Sequence, residues 1–189
     1  MTARAEAAAA TRRRLLVASW THFATRPYEE VRLRDVAADA GVSVQTLHAH
    51  FGSKDDLLAA AYQWWGDQEI ARRDTAPAGD VRAAIRVLFD HYEAAGDAIL
   101  RMLAQEDRIP AVREATDSGR GYHREWTRRV FASLLEELPP RRRERRLDAL
   151  VVACDVLVWK LLRRDMGLDR AEAERTVAEM VTGWARKPY

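Results

Sequence analysis

Apolar positions along this chain recur at helical spacing, and the two-residue alternation of a half-buried strand is nowhere sustained. Val36, Ala37 and Ala40 share one face of a short segment that stops at Gly41. Val44, Leu47 and Phe51, at i, i+3 and i+7, then form the inward stripe of the next. Upstream, Leu15, Leu16, Ser19 and Phe23 give a stripe with one small member, suited to packing behind those two segments. Glycine and proline punctuate the rest at Arg26-Pro27, Gly52-Ser53, Thr75–Gly79, Gly96, Gly119–Gly121, Pro139-Pro140 and Gly167. The pattern predicts an all-α fold with helices broken at those points.

The stretch around Gly41 carries the most specific local logic. A helix ending there needs a left-handed residue, which glycine adopts without strain. Ser43 is a good N-cap for the helix that follows, and Ala37 is small enough to let that helix approach. Gln45, Thr46, His48 and Ala49 are left on the outward, largely polar face. Two short helices fixed by a glycine turn, the second presenting polar side chains, are the design of a helix-turn-helix. Ser53, with Asp56 three residues on, caps a further helix. Lys54 falls at its first position, where a cation is unfavourable unless a phosphate occupies the same spot.

Short elements fill the N-terminal part and longer ones the remainder. A helix-turn-helix domain over residues 1–52 and a larger helical domain over 53–189 are therefore expected, joined through the helix that begins near Ser53. In the larger part Trp64, Trp65, Phe89, Tyr92, Met102 and Trp126 are the bulky residues that could line an adaptable apolar pocket. Asp155 stands in an apolar run from Leu150 to Trp159, placed to meet an arginine or a ligand's polar group. Residues 147–162 are apolar on more than one face, and Leu150, Cys154, Leu157 and Leu161 predict a helix covered on two sides. Val177, Met180 and Trp184 form a second stripe, so the two C-terminal helices read as a surface for assembly into a homodimer.

Composition narrows the class. The chain has 189 residues and a net charge of +2, enough to bury a core and too balanced to name a partner by itself. Its single cysteine rules out an intramolecular disulfide framework and a cysteine-rich zinc site. His48 and His50 lie roughly 200° apart around a helix, so they cannot share a metal. No apolar run reaches bilayer length and no signal-peptide core is present, so the expected compartment is the cytoplasm, with no membrane partner. There is no glycine-rich phosphate loop and no recognisable nucleophile triad or metal cluster, so neither catalysis nor a cofactor is expected. Twenty-eight of the 31 basic residues are arginine, and lysine occurs only at 54, 160 and 187.

From Leu15 to Leu58 the chain resembles the DNA-binding domain of the tetracycline-repressor-like (TetR) regulators. The matching residues are Asp35-Val36-Ala37, Ala40-Gly41-Val42-Ser43, Thr46-Leu47, His50-Phe51, Ser53-Lys54 and Leu57-Leu58. The resemblance implies that Val44 and Gln45 approach base edges of double-stranded DNA, and that Thr46, His48 and Lys54 touch phosphate. His50 would support the helix or touch the backbone. Arg32 replaces a threonine that in the family caps the second helix and meets phosphate, and His48 replaces a tyrosine. The resemblance further implies a homodimer, most often a repressor, released from a palindromic operator by a small-molecule effector held in the larger domain. The runner-up reading is a helical small-molecule-binding protein whose DNA-binding module is degenerate.

Overall fold

The computed structural model describes residues 3–183, and these are helical throughout, with no strand among them. The helices are α1 (Ala3–Thr25), α2 (Leu33–Asp39), α3 (Val44–Phe51), α4 (Lys54–Arg73), α5 (Val81–Leu103), α6 (Pro110–Val130), α7 (Pro140–Ala153), α8 (Val156–Lys160) and α9 (Arg170–Gly183). One-turn 3-10 segments follow α1 and α6, and a π-helical turn at Leu161–Asp165 extends α8.

The chain divides into two compact units. The first ends at Gln68 and takes in Arg101–Asp117; the second comprises Glu69–Leu100 and the described residues from Ser118 onward. The boundary expected at residue 52 therefore falls inside the first unit. The reason is packing. Leu57, Leu58, Ala61 and Tyr62 of α4 share one core with Leu15, Phe23, Val36, Leu47 and Phe51, and Met102, Ile109 and Val112 join it. Cutting at residue 52 would expose side chains that are now buried.

Polar ties fix the first unit's helices. Arg14 Nε donates to the Ala40 carbonyl at 3.0 Å, and buried His22 Nε2 lies 2.7 Å from the Asp39 carboxylate. His22 thus links α1 to α2. Gln105 accepts from the Tyr28 amide and donates to the Arg101 carbonyl, while Arg101 Nε donates to the Ala24 carbonyl at 2.7 Å.

In the second unit, arginines meet acidic residues of α5. Arg163 pairs with Glu93, Arg164 forks onto both oxygens of Asp97, and Arg170 reaches Asp90. Two expectations from the sequence are corrected here. Gly96 and the Gly119–Gly121 stretch were expected to break helices but lie inside α5 and α6. Conversely, the run 147–162 is not one helix: α7 ends at Ala153 and α8 restarts after Asp155.

Candidate nucleic-acid interface

The turn between α2 and α3 follows from local chemistry. Gly41 has φ +66°, its amide donates to the Ala38 carbonyl (3.0 Å), and the Val42 amide donates to the Ala37 carbonyl (2.9 Å). These are the paired bonds of a Schellman helix stop. Ser43 Oγ then accepts from the Thr46 amide at 3.1 Å, capping α3. At the other end Gly52 has φ +73°, and Ser53 and Asp56 cap α4 reciprocally. The Ser53 amide donates to Asp56 Oδ2 (3.2 Å) and the Asp56 amide donates to Ser53 Oγ (3.0 Å). Leu47 and Phe51 are buried, and Arg12 covers the Phe51 ring at 4.5 Å. With its inward face anchored and both ends stopped, α3 presents a fixed outward face.

That face carries Val44, Gln45, His48 and Ala49 exposed, with Thr46 and His50 half-buried. Gln45 makes no side-chain hydrogen bond among the described residues, so its amide is available to a partner. Thr46 Oγ1 lies 2.9 Å from Ser43 Oγ, which engages one side of its hydroxyl. His48 Nδ1 sits 2.7 Å from the Gly52 carbonyl. A carbonyl only accepts, so Nδ1 carries the proton. In the neutral ring Nε2 is then an acceptor. In that tautomer the outward nitrogen accepts a hydrogen bond, unlike a tyrosine hydroxyl, which can also donate one.

Arg32, extended at the N-cap of α2, makes no side-chain capping bond and is exposed. Lys54 is not the free cation the sequence suggested. Its Nζ donates to the Tyr28 carbonyl and lies 4.1 Å over the Tyr28 ring. Burial holds its pKa below the usual lysine value, against the pull of Glu29 and Asp55. Tyr28 in turn donates to Asp55, and burial together with that bond pushes its pKa up to about 12.

The residues expected to line a pocket fall in both units. Trp65 stacks on Trp20 (4.2 Å, 8°), Trp64 packs against the first unit's core, and Met102 belongs to that core. Phe89, Tyr92, Trp126 and Asp155 lie in the second unit. There Tyr92 Oη donates to the Cys154 carbonyl and Trp126 Nε1 to the Arg73 carbonyl, both at 2.9 Å. Asp155 forms no ion pair among the described residues: it is the N-cap of α8, accepting from the Leu157 amide at 2.8 Å. A carboxylate inside an apolar run is explained by the helix break it caps, which the periodicity conceals.

The assembly stripe is also re-sorted. Leu150, Cys154 and Val177 are covered by their own chain and belong to its core. Leu157 and Leu161 are at least half exposed, Met180 is exposed, and Val152 and Met166 join the outward set. Trp184 lies outside the described residues.

Glu69, Arg73, His91 and His123 form a buried polar cluster; the two histidines stand out in the sequence as polar residues in apolar stretches, their carboxylate and guanidinium neighbours do not. His91 Nδ1 is 2.8 Å from Glu69, and His123 bridges Arg73 (3.1 Å) and the Val151 carbonyl (3.1 Å). Burial, with Arg73 beside it, lowers the His123 pKa to about 4; burial lowers His91 too. Both rings are therefore neutral at pH 7. The unfolded chain takes up these protons near pH 6.5 and the folded chain does not, so their stabilising effect is complete above that pH and lost as pH falls towards 4. Urea unfolding at pH 7.5 and 5 is expected to show about 2 kcal/mol less stability at the lower pH from His123 alone. His123→Asn should reduce that difference; an unchanged pH dependence would rule out the assignment.

Two short helices locked by a glycine turn, with a capped second helix presenting an uncommitted polar face, form a helix-turn-helix. Residues 15–61 match the family model of bacterial regulatory proteins, tetR family. No curated protein matches the chain significantly. Among solved structures it is similar to a transcriptional regulator from Rhodococcus sp. Rha1 (TM-score 0.71, 20% identity, 91% of this chain and 94% of that one). It is also similar to a tetR-family transcriptional regulator from Streptomyces coelicolor (TM-score 0.75, 19% identity, 97% and 81%). A third is the multidrug binding protein EbrR complexed with imidazole (TM-score 0.58, 24% identity, 89% and 88%). At these identities the likeness is one of fold. No helix among the described residues is long and apolar enough to cross a membrane.

Proposed function

We propose that the chain is a cytoplasmic, homodimeric repressor that leaves a palindromic operator when a small, largely apolar molecule binds its second unit. The observation that carries this reading is the α3 face, exposed and polar between two helix stops. Each subunit would lay α3 in a major groove, the two copies reading half-sites roughly 34–36 Å apart. Gln45 can pair bidentately with adenine and Val44 can touch a thymine methyl. Neutral His48, with Nε2 free to accept, suits an exocyclic amine on a base edge better than a phosphate. Thr46, His50, Arg32 and the remaining N–H groups of Lys54 would meet the backbone. The exposed Val152, Leu157, Leu161, Met166 and Met180 support a dimer formed through the C-terminal helices. EbrR, bound to imidazole, supports a ligand-binding role for the fold.

The test is a gel-shift titration with DNA flanking the chain's own gene, repeated from 50 to 200 mM salt. A retarded complex that weakens steeply with salt is expected, since phosphate contacts release counterions. Absence of a shift on any such fragment would overturn the regulator reading.

A further inference from the structure

Arg73, near the C-terminal end of α4, is only 5% exposed and yet has no anionic partner. It forms no ion pair among the described residues. Its one side-chain hydrogen bond is from Nη2 to His123 Nδ1 (3.1 Å), and its Nε is buried without any partner. The carboxylates nearby are committed elsewhere: Glu69 to Arg72 and His91, Asp155 to the Leu157 amide. The guanidinium faces are covered by Trp126 (4.4 Å) and Tyr122 (5.1 Å), so its unmet need lies at the in-plane edge.

Buried polar groups almost always find a partner, and a buried guanidinium is most often met by a forked carboxylate. The rings and the thiol around it add no charge. His91 and His123 are held neutral by burial, Tyr92 is raised by burial, and the buried Cys154 thiol is pushed up to about 12. The one carboxylate buried in this cluster, Glu69, is held by Arg72 and His91, so the Nε edge of Arg73 is left without a partner among the aromatic rings. A carboxylate oxygen would complete it with a charge-assisted hydrogen bond.

We propose that the second unit binds a small aromatic or aliphatic monocarboxylate, whose carboxylate takes the open Nε edge of Arg73 while its apolar body lies against the surrounding rings. This deepens the effector part of the proposed function and rests on it. It names the ligand class and the residue that selects it.

The experiment measures thermal unfolding of the full chain with phenylacetate, cinnamate and decanoate, each set beside its neutral primary amide. Stabilisation by at least one acid, by roughly 5 °C at saturation, and none by its amide is expected. Arg73→Met should abolish that shift and Arg73→Lys should weaken it, with circular dichroism confirming that each variant is folded. If Arg73→Met does not fold, loss of the response in Arg73→Gln serves the same purpose. No stabilisation by any of the acids, equal stabilisation by the amides, or a full response in Arg73→Met overturns the proposal. Melting shifts need no DNA, so a failed gel shift with selective acid binding removes the regulator reading only. A good gel shift with no acid response removes this inference only.

Discussion

Gly96→Val is expected to destabilise the protein by about 3 kcal/mol, read as a lower urea midpoint at unchanged slope. Helix propensity predicts the opposite sign for the milder Gly96→Ala, because alanine in a helix interior is better than glycine by about 1 kcal/mol. Packing decides the outcome. A Cβ added at Gly96 would stand 2.4 Å from Trp159 Cζ3, 2.6 Å from Cη2 and 2.9 Å from Cε3. The ring cannot easily retreat. Trp159 is 1% exposed, its Nε1 donates to Glu93 at 3.0 Å, and the Arg164 guanidinium lies 4.4 Å over its face. Glu93 and Asp97, one turn apart on α5, hold Arg163 and Arg164, so the indole is gripped from both sides. Valine adds two further carbons that must push the ring or the backbone aside. Gly96→Ala should lose less, the clash being partly offset by propensity. Trp159→Leu in the Gly96→Ala background should recover part of that loss. A neutral or stabilised Gly96→Ala would show that the ring is free to move.

The same glycine shows where the sequence was readable and where it was not. Gly41 and Gly96 are identical letters. Gly41 is followed by a serine cap and a new apolar stripe, so its turn could be derived locally, down to the bonds that close it. Gly96 exists for a side chain 63 positions away, and nothing near it in sequence announces that ring. Helix α3, its caps and its buried Leu47 and Phe51 were legible because each depends on neighbours within four residues. Lys54 was legible in position but not in partner: the Tyr28 carbonyl reaches it across 26 residues. Asp155 was misread because a helix break inside an apolar run leaves the periodicity intact. The Glu69, Arg73, His91 and His123 cluster could not be assembled from the sequence because its members lie on three helices with no shared spacing.

Gln45→Ala should weaken operator binding by at least tenfold while leaving the melting temperature nearly unchanged. The side chain is exposed on α3 and makes no hydrogen bond among the described residues, so its removal costs the fold little. A bidentate glutamine–adenine pair contributes about 1–3 kcal/mol, and a symmetric dimer makes the contact twice, about 2–6 kcal/mol in all. The loss should also be selective. Replacing the contacted base pair in both half-sites should cost the wild type as much as the mutation does, and cost Gln45→Ala almost nothing further. Lys54→Ala is the contrasting case. A phosphate contact carries no sequence information, so its loss should weaken all DNA alike and flatten the salt dependence by about one ion per subunit. Lys54 also holds the Tyr28 carbonyl, so this variant is compared at equal folded fraction. Were Gln45→Ala to weaken operator and unrelated DNA equally, Gln45 would be a backbone contact, and sequence reading on α3 would pass to Val44 and His48.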